Sequence, residues 1–456
     1  MKFSKAETHS RVHKIPTVRF EGKHRLTSFA GLVSFMKLFD VLRVKDNLRL
    51  CFDHLSSSSI VGHAVVFLLL VVHFLLGFRR MRDLDYYRSD PMVERTLGLR
   101  RLPDVSTISR TLRSADPRCV DNVRSWLRGL TIQRLLLQRL TRVTLDFDGS
   151  VQSTKSHAEG TAVGFNKVKK GARSYYPLFC TVAQTGQFLD MYHRPGNVHD
   201  SNGAAEFMAR CFEQVRAAQP GVIIEARMDS AFFNETALNQ LRSSPVQFSC
   251  SVPFERFAEL KKLIETQTCW NRLNHKVSYF ESGWRPKSWK TDYRFIFVRQ
   301  RRPKQHKGPL QLDLFVPQDF EYEYKVIVTN KTSSPNSVLM FHNGRGSQEG
   351  VFAEAKQHAG LDMVPTRTLV GNQLFTLAGL TAHNLTRELQ MRSRPHERPT
   401  LPKRPPLWKF RTLGTVCQGL IRVAGRLVRP QGELTLIVND DGETRRRMSP
   451  YLEAAG

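Results

Sequence analysis

Four carboxylates occupy positions where their spacing could serve chemistry. Asp146 and Asp148 lie in Arg142–Val151 (RVTLDFDGSV). Apolar residues alternate there, so Val143, Leu145 and Phe147 share one face of a strand, and Thr144, Asp146 and Asp148 the other. Two acids on one strand face cost energy unless a cation compensates them, and a divalent metal is the simplest compensator. The competing reading is an edge strand with a solvated acidic face. Asp229 ends the apolar run Gly221–Phe233 (GVIIEARMDSAFF). A carboxylate at the carboxyl end of a buried strand is a common functional placement. Glu349 lies in Phe341–Gly360 (FHNGRGSQEGVFAEAKQHAG), a glycine-containing turn that continues as a helix. Arg345, Glu349 and Lys356 are four and seven residues apart, which puts them near one helical face. That stripe is either a surface ion-pair ladder or one wall of a site that handles phosphate and metal.

Asp148 and Asp229 are 81 residues apart (229 − 148), and Asp229 and Glu349 are 120 apart (349 − 229). Carboxylates converging from a strand, a strand end and a helix could hold two Mg²⁺ ions, which prefer oxygen ligands. Two such metals about 4 Å apart would activate an attacking hydroxyl and stabilise the leaving oxygen of a phosphodiester.

The elements that must position these acids follow from the pattern. Residues 1–140 read mainly as helices. Within them Pro103-Asp104 supplies N-cap chemistry for a short helix presenting Ser106, Thr107 and Arg110, which is either the recognition helix of a helix-turn-helix or an ordinary capped helix. Residues 141–243 give three strands, a helix, a strand and a helix. The hairpin region 163–178 gathers Lys167, Lys169, Lys170 and Arg173 beside Tyr175 and Tyr176, a combination suited to a nucleic-acid backbone. Residues 244–330 are strand-like again, with Trp270, Trp284 and Trp289 between the runs, and read as an inserted β-rich subdomain. Residues 331–390 return to helix and carry Glu349. Residues 391–410 are rich in Pro and Arg and read as a basic linker, ahead of a small C-terminal unit. The expected class is α/β (α+β).

The formal charge of +28 and pI near 10.2 point to a polyanionic partner, with nucleic acid ahead of an anionic membrane. The apolar run Ile60–Phe78 holds Gly62, His63, His73 and Gly77, and reads as a buried core helix rather than a membrane span. Seven scattered cysteines without a CxxC pair argue against a disulfide framework or a structural zinc site, and fit a reducing cytosol.

The ordered phrases LDFDGSV, GFNKVKKGARSYYPL, RPGN, RMDSAFF and RGSQE resemble the motifs of the insertion-sequence family thirteen-eighty, a group of DDE transposases with an RNase H-like catalytic core. His342, Arg345, Glu349 and Lys356 match the spacing of that group's Tyr-(2)-Arg-(3)-Glu-(6)-Lys signature, with His342 where the family has Tyr. The resemblance covers roughly residues 25–390. It implies a catalytic triad of Asp148, Asp229 and Glu349 binding two Mg²⁺ or Mn²⁺ ions, with Asp146 as the alternative first ligand. It further implies that Arg345 and Lys356 contact phosphates of the transposon end, with His342 in the place of a further DNA contact, and that one of Trp270, Trp284 and Trp289 stacks on a flipped base. The implied activity is cleavage at terminal inverted repeats and joining of 3′-hydroxyls to target DNA by a homodimer or larger assembly. An RNase H-like nuclease and an inactive DNA-binding relative are the alternatives.

Overall fold

The computed structural model describes residues 17–18, 25–56, 61–164, 166, 169–198, 202–301, 322–393 and 408–454. Residues 25–138 bring six helices: α1 (Leu32–Val41), α2 (Val44–Cys51), α3 (His63–Leu75), α4 (Pro91–Leu97), α5 (Val105–Arg113) and α6 (Pro117–Gln138). Three of them start by one chemistry. Asp90, Asp104 and Asp116 each accept a backbone N–H of the first turn, and Pro91 and Pro117 occupy first helical positions. The apolar α3 is buried without interruption from Val66 to Leu75. Among the described residues no helix is long and apolar enough to cross a membrane. Fully burying each such Leu, Val or Phe is worth roughly 1.5–3 kcal/mol, so α3 is a main stabilising element of the helical layer.

The acids are carried by a nine-stranded sheet. In chain order its strands are β1 (Arg142–Gly149), β2 (Leu178–Val182), β3 (Gln187–Tyr192), β4 (Ile223–Met228), β5 (Gln247–Val252), β6 (Asn271–Arg272), β7 (Val277–Trp284), β8 (Tyr293–Arg301) and β9 (Tyr322–Thr329). Across the sheet they run β6-β7-β8-β9-β5-β4-β1-β2-β3. β1 pairs antiparallel with β2 and parallel with β4, and β4 pairs parallel with β5. The acidic strand β1 is therefore central and not an edge, and Thr144 and Asp146 on its polar face are both buried. The connections include α7 (Ala204–Ala218), α8 (Glu235–Ser243) and α9 (Ala258–Thr266), whose apolar faces share a core with Phe147, Met228 and Phe295.

The expected insertion at 244–330 merges with this sheet. β5 opens that segment and is the parallel neighbour of β4, and β9 to β6 extend the same sheet from it. The period-2 pattern cannot distinguish a strand that continues a sheet from one that starts a new one.

The chain then forms α10 (Pro335–Asn343), α11 (Gly346–His358) and α12 (Leu369–Ser393). α12 is a spine between the sheet and the helical layer, buried nearly all round, and its polar residues are tied down. Asn384 accepts from the Phe188 N–H at 2.8 Å and donates to the Phe188 carbonyl at 2.7 Å, while Glu388 pairs with Arg134 and Arg387 with Glu354. At Gly379 any Cβ would fall 2.1 Å from the Ala359 carbonyl oxygen, so the crossing with the end of α11 needs glycine. Past the basic stretch come α13 (Leu413–Val416), two strands and α14 (Gly442–Ala454). The strand Gly425–Val428 pairs with Arg25–Thr27 and with Thr435–Val438, and the apolar side chains here join the core of α1–α5 and α12.

Candidate active site

β1 and β4 run side by side in register, with Phe147 opposite Met228. Asp148 is the next residue of β1, and Asp229 follows the end of β4 directly, still in extended backbone. Side chains alternate along a strand, so both point to the face opposite Phe147 and Met228. Asp148 is half-buried, and one of its carboxylate oxygens accepts from the Gly149 N–H at 2.8 Å. Asp229 caps a short 3₁₀ turn, Ser230–Phe232, by accepting from the Ala231 N–H at 3.0 Å.

α11 brings the third acid to that face. Its inner side packs Phe352 edge-on against Phe179 and Phe188, with ring centroids 5.5 and 5.8 Å away, and Gln348 donates to the Thr181 hydroxyl at 3.3 Å. Glu349 thereby sits outside, in the first turn, with a side chain 68% exposed. Arg345, at the N-cap, joins the parts: its guanidinium lies 3.5 Å from the Asp148 carboxylate and 3.4 Å from that of Glu349. The stripe read from sequence forms an i,i+4 ion pair, and the same Arg345 reaches across to a strand-borne acid. Lys356 is exposed one stripe-length further along α11, roughly 10 Å from Glu349 along the axis.

Asp146 does something else. It is buried, and Arg227 from β4 grips it bidentately with both bonds at 2.6 Å. Burial pushes its carboxyl up, against the pull of Arg227. The same guanidinium donates to the Phe341 carbonyl at 3.1 Å and fills the space where a Cβ on Gly344 would stand, 2.1 Å away, so the glycine in the turn before α11 is obligatory. Both Asp146 oxygens are thus taken up by Arg227, which also holds the turn that presents Arg345.

His342 also turns inward. It is buried on α10, with Nδ1 2.9 Å from the Ser249 hydroxyl and Nε2 2.9 Å from that of Ser251. Burial first, then the charges of Lys325, Arg345 and Arg227, hold the imidazole well below its usual range and therefore neutral. It cannot reach a phosphate, because both ring nitrogens are engaged with β5. A helical signature fixes spacing along the axis but not which residue the sheet covers.

Trp270, Trp284 and Trp289 pack into the core shared with Phe147 and Met228, on the sheet face opposite the acids. Trp284 meets Phe257 and Phe295 edge-on, Trp289 lies on Phe233, and Trp270 carries Arg299 4.5 Å above its ring. Lys169 and Lys170 are exposed, Lys167 lies outside the described residues, and Arg173 is turned onto Thr161, donating to its hydroxyl at 3.0 Å. On α5, Arg110 is exposed and donates to Thr107 at 3.2 Å, so this helix forms as expected. The seven residues Gly98–Asp104 between α4 and α5 exceed the usual helix-turn-helix turn.

One cation at the site escaped the sequence reading. Lys325 on β9 is half-buried and donates to Asn343 at 3.2 Å, and its pKa is lowered by burial and by Arg345, with Glu349 opposing. A lysine inside the apolar run EYKVIV was the available signal.

A family model described as transposase DDE domain, group 1, matches residues 9–441. Among solved structures the chain is similar to the piggyBac transposase in its synaptic complex with hairpin DNA, at 12% identity and TM-score 0.40, over 78% of this chain and 74% of that one. It is also similar to the Mos1 transposase in a paired-end complex with the left transposon end, at 10% identity and TM-score 0.18, over 43% and 60%. No protein of curated function matches it.

Proposed function

The chain belongs to the transposase DDE domain family, group 1, and from that premise we propose that it cuts double-stranded DNA at the terminal inverted repeats of a bacterial insertion sequence and joins the freed 3′-hydroxyls to target DNA. One observation carries the reading. Arg345 bridges Asp148 and Glu349, and Asp229 stands on the neighbouring strand one residue past the paired register. These three are assigned as catalytic. They supply hard oxygen donors on one face, which fits Mg²⁺ or Mn²⁺, taken here as two ions. The chemistry supplied at such a centre is activation of the attacking hydroxyl and stabilisation of the leaving oxygen.

The protein's own residues do the rest. Arg345, Lys356 and Lys325 are assigned to the phosphates of the bound end, and Lys169 and Lys170 to the flanking backbone. The strand order β3-β2-β1-β4-β5, antiparallel on one side of β1 and parallel on the other, supports an RNase H-like core. The Arg345-Glu349-Lys356 spacing supports placement among the Y-R-E-K transposases of the family thirteen-eighty type. The helical region, residues 1–140, is assigned to end binding with Arg110 at its surface, and the working unit to a homodimer in the bacterial cytoplasm, at the nucleoid.

The test uses purified protein, Mg²⁺ and a duplex carrying the element's own end. Asp148→Ala, Asp229→Ala and Glu349→Ala should each abolish cleavage while retaining end binding in a gel-shift assay. A single variant cutting near the wild-type rate would remove that residue from the triad. Pre-cut ends with free 3′-hydroxyls separate the nuclease alternative: failure to join them to a target plasmid would reduce the activity to cutting.

A further inference from the structure

Far along the chain from the acids, three side chains of different chemistry point at one spot between α2 and α6. His54 follows the end of α2, Asp116 caps α6, and Cys119 lies in its first turn. The His54 Nε2 is 3.0 Å from one Asp116 oxygen and 3.7 Å from the Cys119 Sγ, and one ligand atom from each residue lies within 4.8 Å of the others. For a tetrahedral zinc with Zn–N near 2.0–2.1 Å and Zn–S near 2.3 Å, neighbouring ligand atoms stand roughly 3.6 Å apart.

We propose that His54, Asp116 and Cys119 hold a zinc ion that ties α2 to α6, with water in the fourth position. Two features favour this over a plain hydrogen-bonded cluster. If Nε2 merely donates to Asp116, Nδ1 is left as an acceptor, and it is buried with no hydrogen-bond partner. With Nε2 on a metal, Nδ1 carries the proton and turns it toward the Asp53 carboxylate 3.9 Å away, the outer partner that metal-bound histidines usually have. Second, His54 follows the end of α2 while Asp116 and Cys119 open α6, so the ligands grip two elements at once, as zinc sites with protein-borne N, O and S donors do. Cys119 is buried, and a mixed S, N and O donor set suits zinc rather than Mg²⁺. The ion would clamp α2 to the start of α6, 65 residues apart in the chain.

The experiment is elemental analysis of the full chain, purified without chelator and dialysed against Mg²⁺. One zinc per chain is expected, retained in Asp148→Ala and lost in His54→Ala and Cys119→Ala. Zinc-stripped wild-type protein, refilled with Co²⁺, should show thiolate-to-cobalt charge-transfer absorption, which needs no variant to fold. Substoichiometric zinc together with no such absorption would overturn the proposal, as would full zinc retention in folded His54→Ala.

Discussion

Asp146→Ala and Asp148→Ala remove one carboxylate each from the same strand face, but their neighbours differ. Without Asp146 the Arg227 guanidinium stays buried with no counter-charge, a loss of about 3–5 kcal/mol. Asp148 is half-buried and its pair with Arg345 is long, so its removal should cost less than about 1 kcal/mol. Denaturant unfolding of the two variants checks this, and equal midpoints would remove the structural role given to Asp146. At the same scale, Lys325→Ala should weaken DNA binding and reduce the slope of log K against log salt by about 0.9, the share of one phosphate. An unchanged slope would show that Lys325 serves its bond to Asn343 and not the DNA.

Much of the element scale was legible. The strand bearing Asp146 and Asp148, the strand ending before Asp229 and the helix carrying Glu349 all form where alternation and spacing put them, because periodicity records which face a residue buries. What periodicity does not record is the neighbour across the interface. The same sequence therefore left Asp146 beside Asp148 as an alternative first ligand, put His342 among the DNA contacts, and read residues 244–330 as an inserted subdomain. Arg227, Ser249 and Ser251 are the partners of the first two, and they lie 81 to 93 residues away. Element packing also gives a prediction. Gly379→Ala should force α12 away from the end of α11, costing roughly 1–3 kcal/mol by overpacking. Because α11 carries Glu349, cleavage should fall further than end binding does. Unaltered stability and cleavage would mean the crossing relaxes freely.

Among the described residues of the whole molecule, His73, His342 and His383 are buried and His193 is partly so, and loss of solvation is the first cause that lowers each imidazole. His73 and His383 are lowered to about 4, His193 to about 3, and His342 well below the usual range. Below an unfolded value near 6.5 the unfolded chain takes up protons that the folded chain refuses, so stability must fall as pH falls. Between pH 6.5 and about 4, His73, His193 and His383 each contribute a slope of up to about 1.4 kcal/mol per pH unit, read from urea unfolding at stepped pH. A flat profile over that window would mean the rings are solvated. Finally, the pairing of Arg25–Thr27 with Gly425–Val428 has a consequence in time. These strands are 398 residues apart (425 − 27), and the C-terminal side chains complete the core that covers α3. At synthesis rates of roughly 5–20 residues per second, the helical layer waits on the order of 20–80 s for its last strand. During that interval the apolar α3 lacks part of its cover, and exposed apolar surface of this kind favours aggregation until the closing segment has left the ribosome.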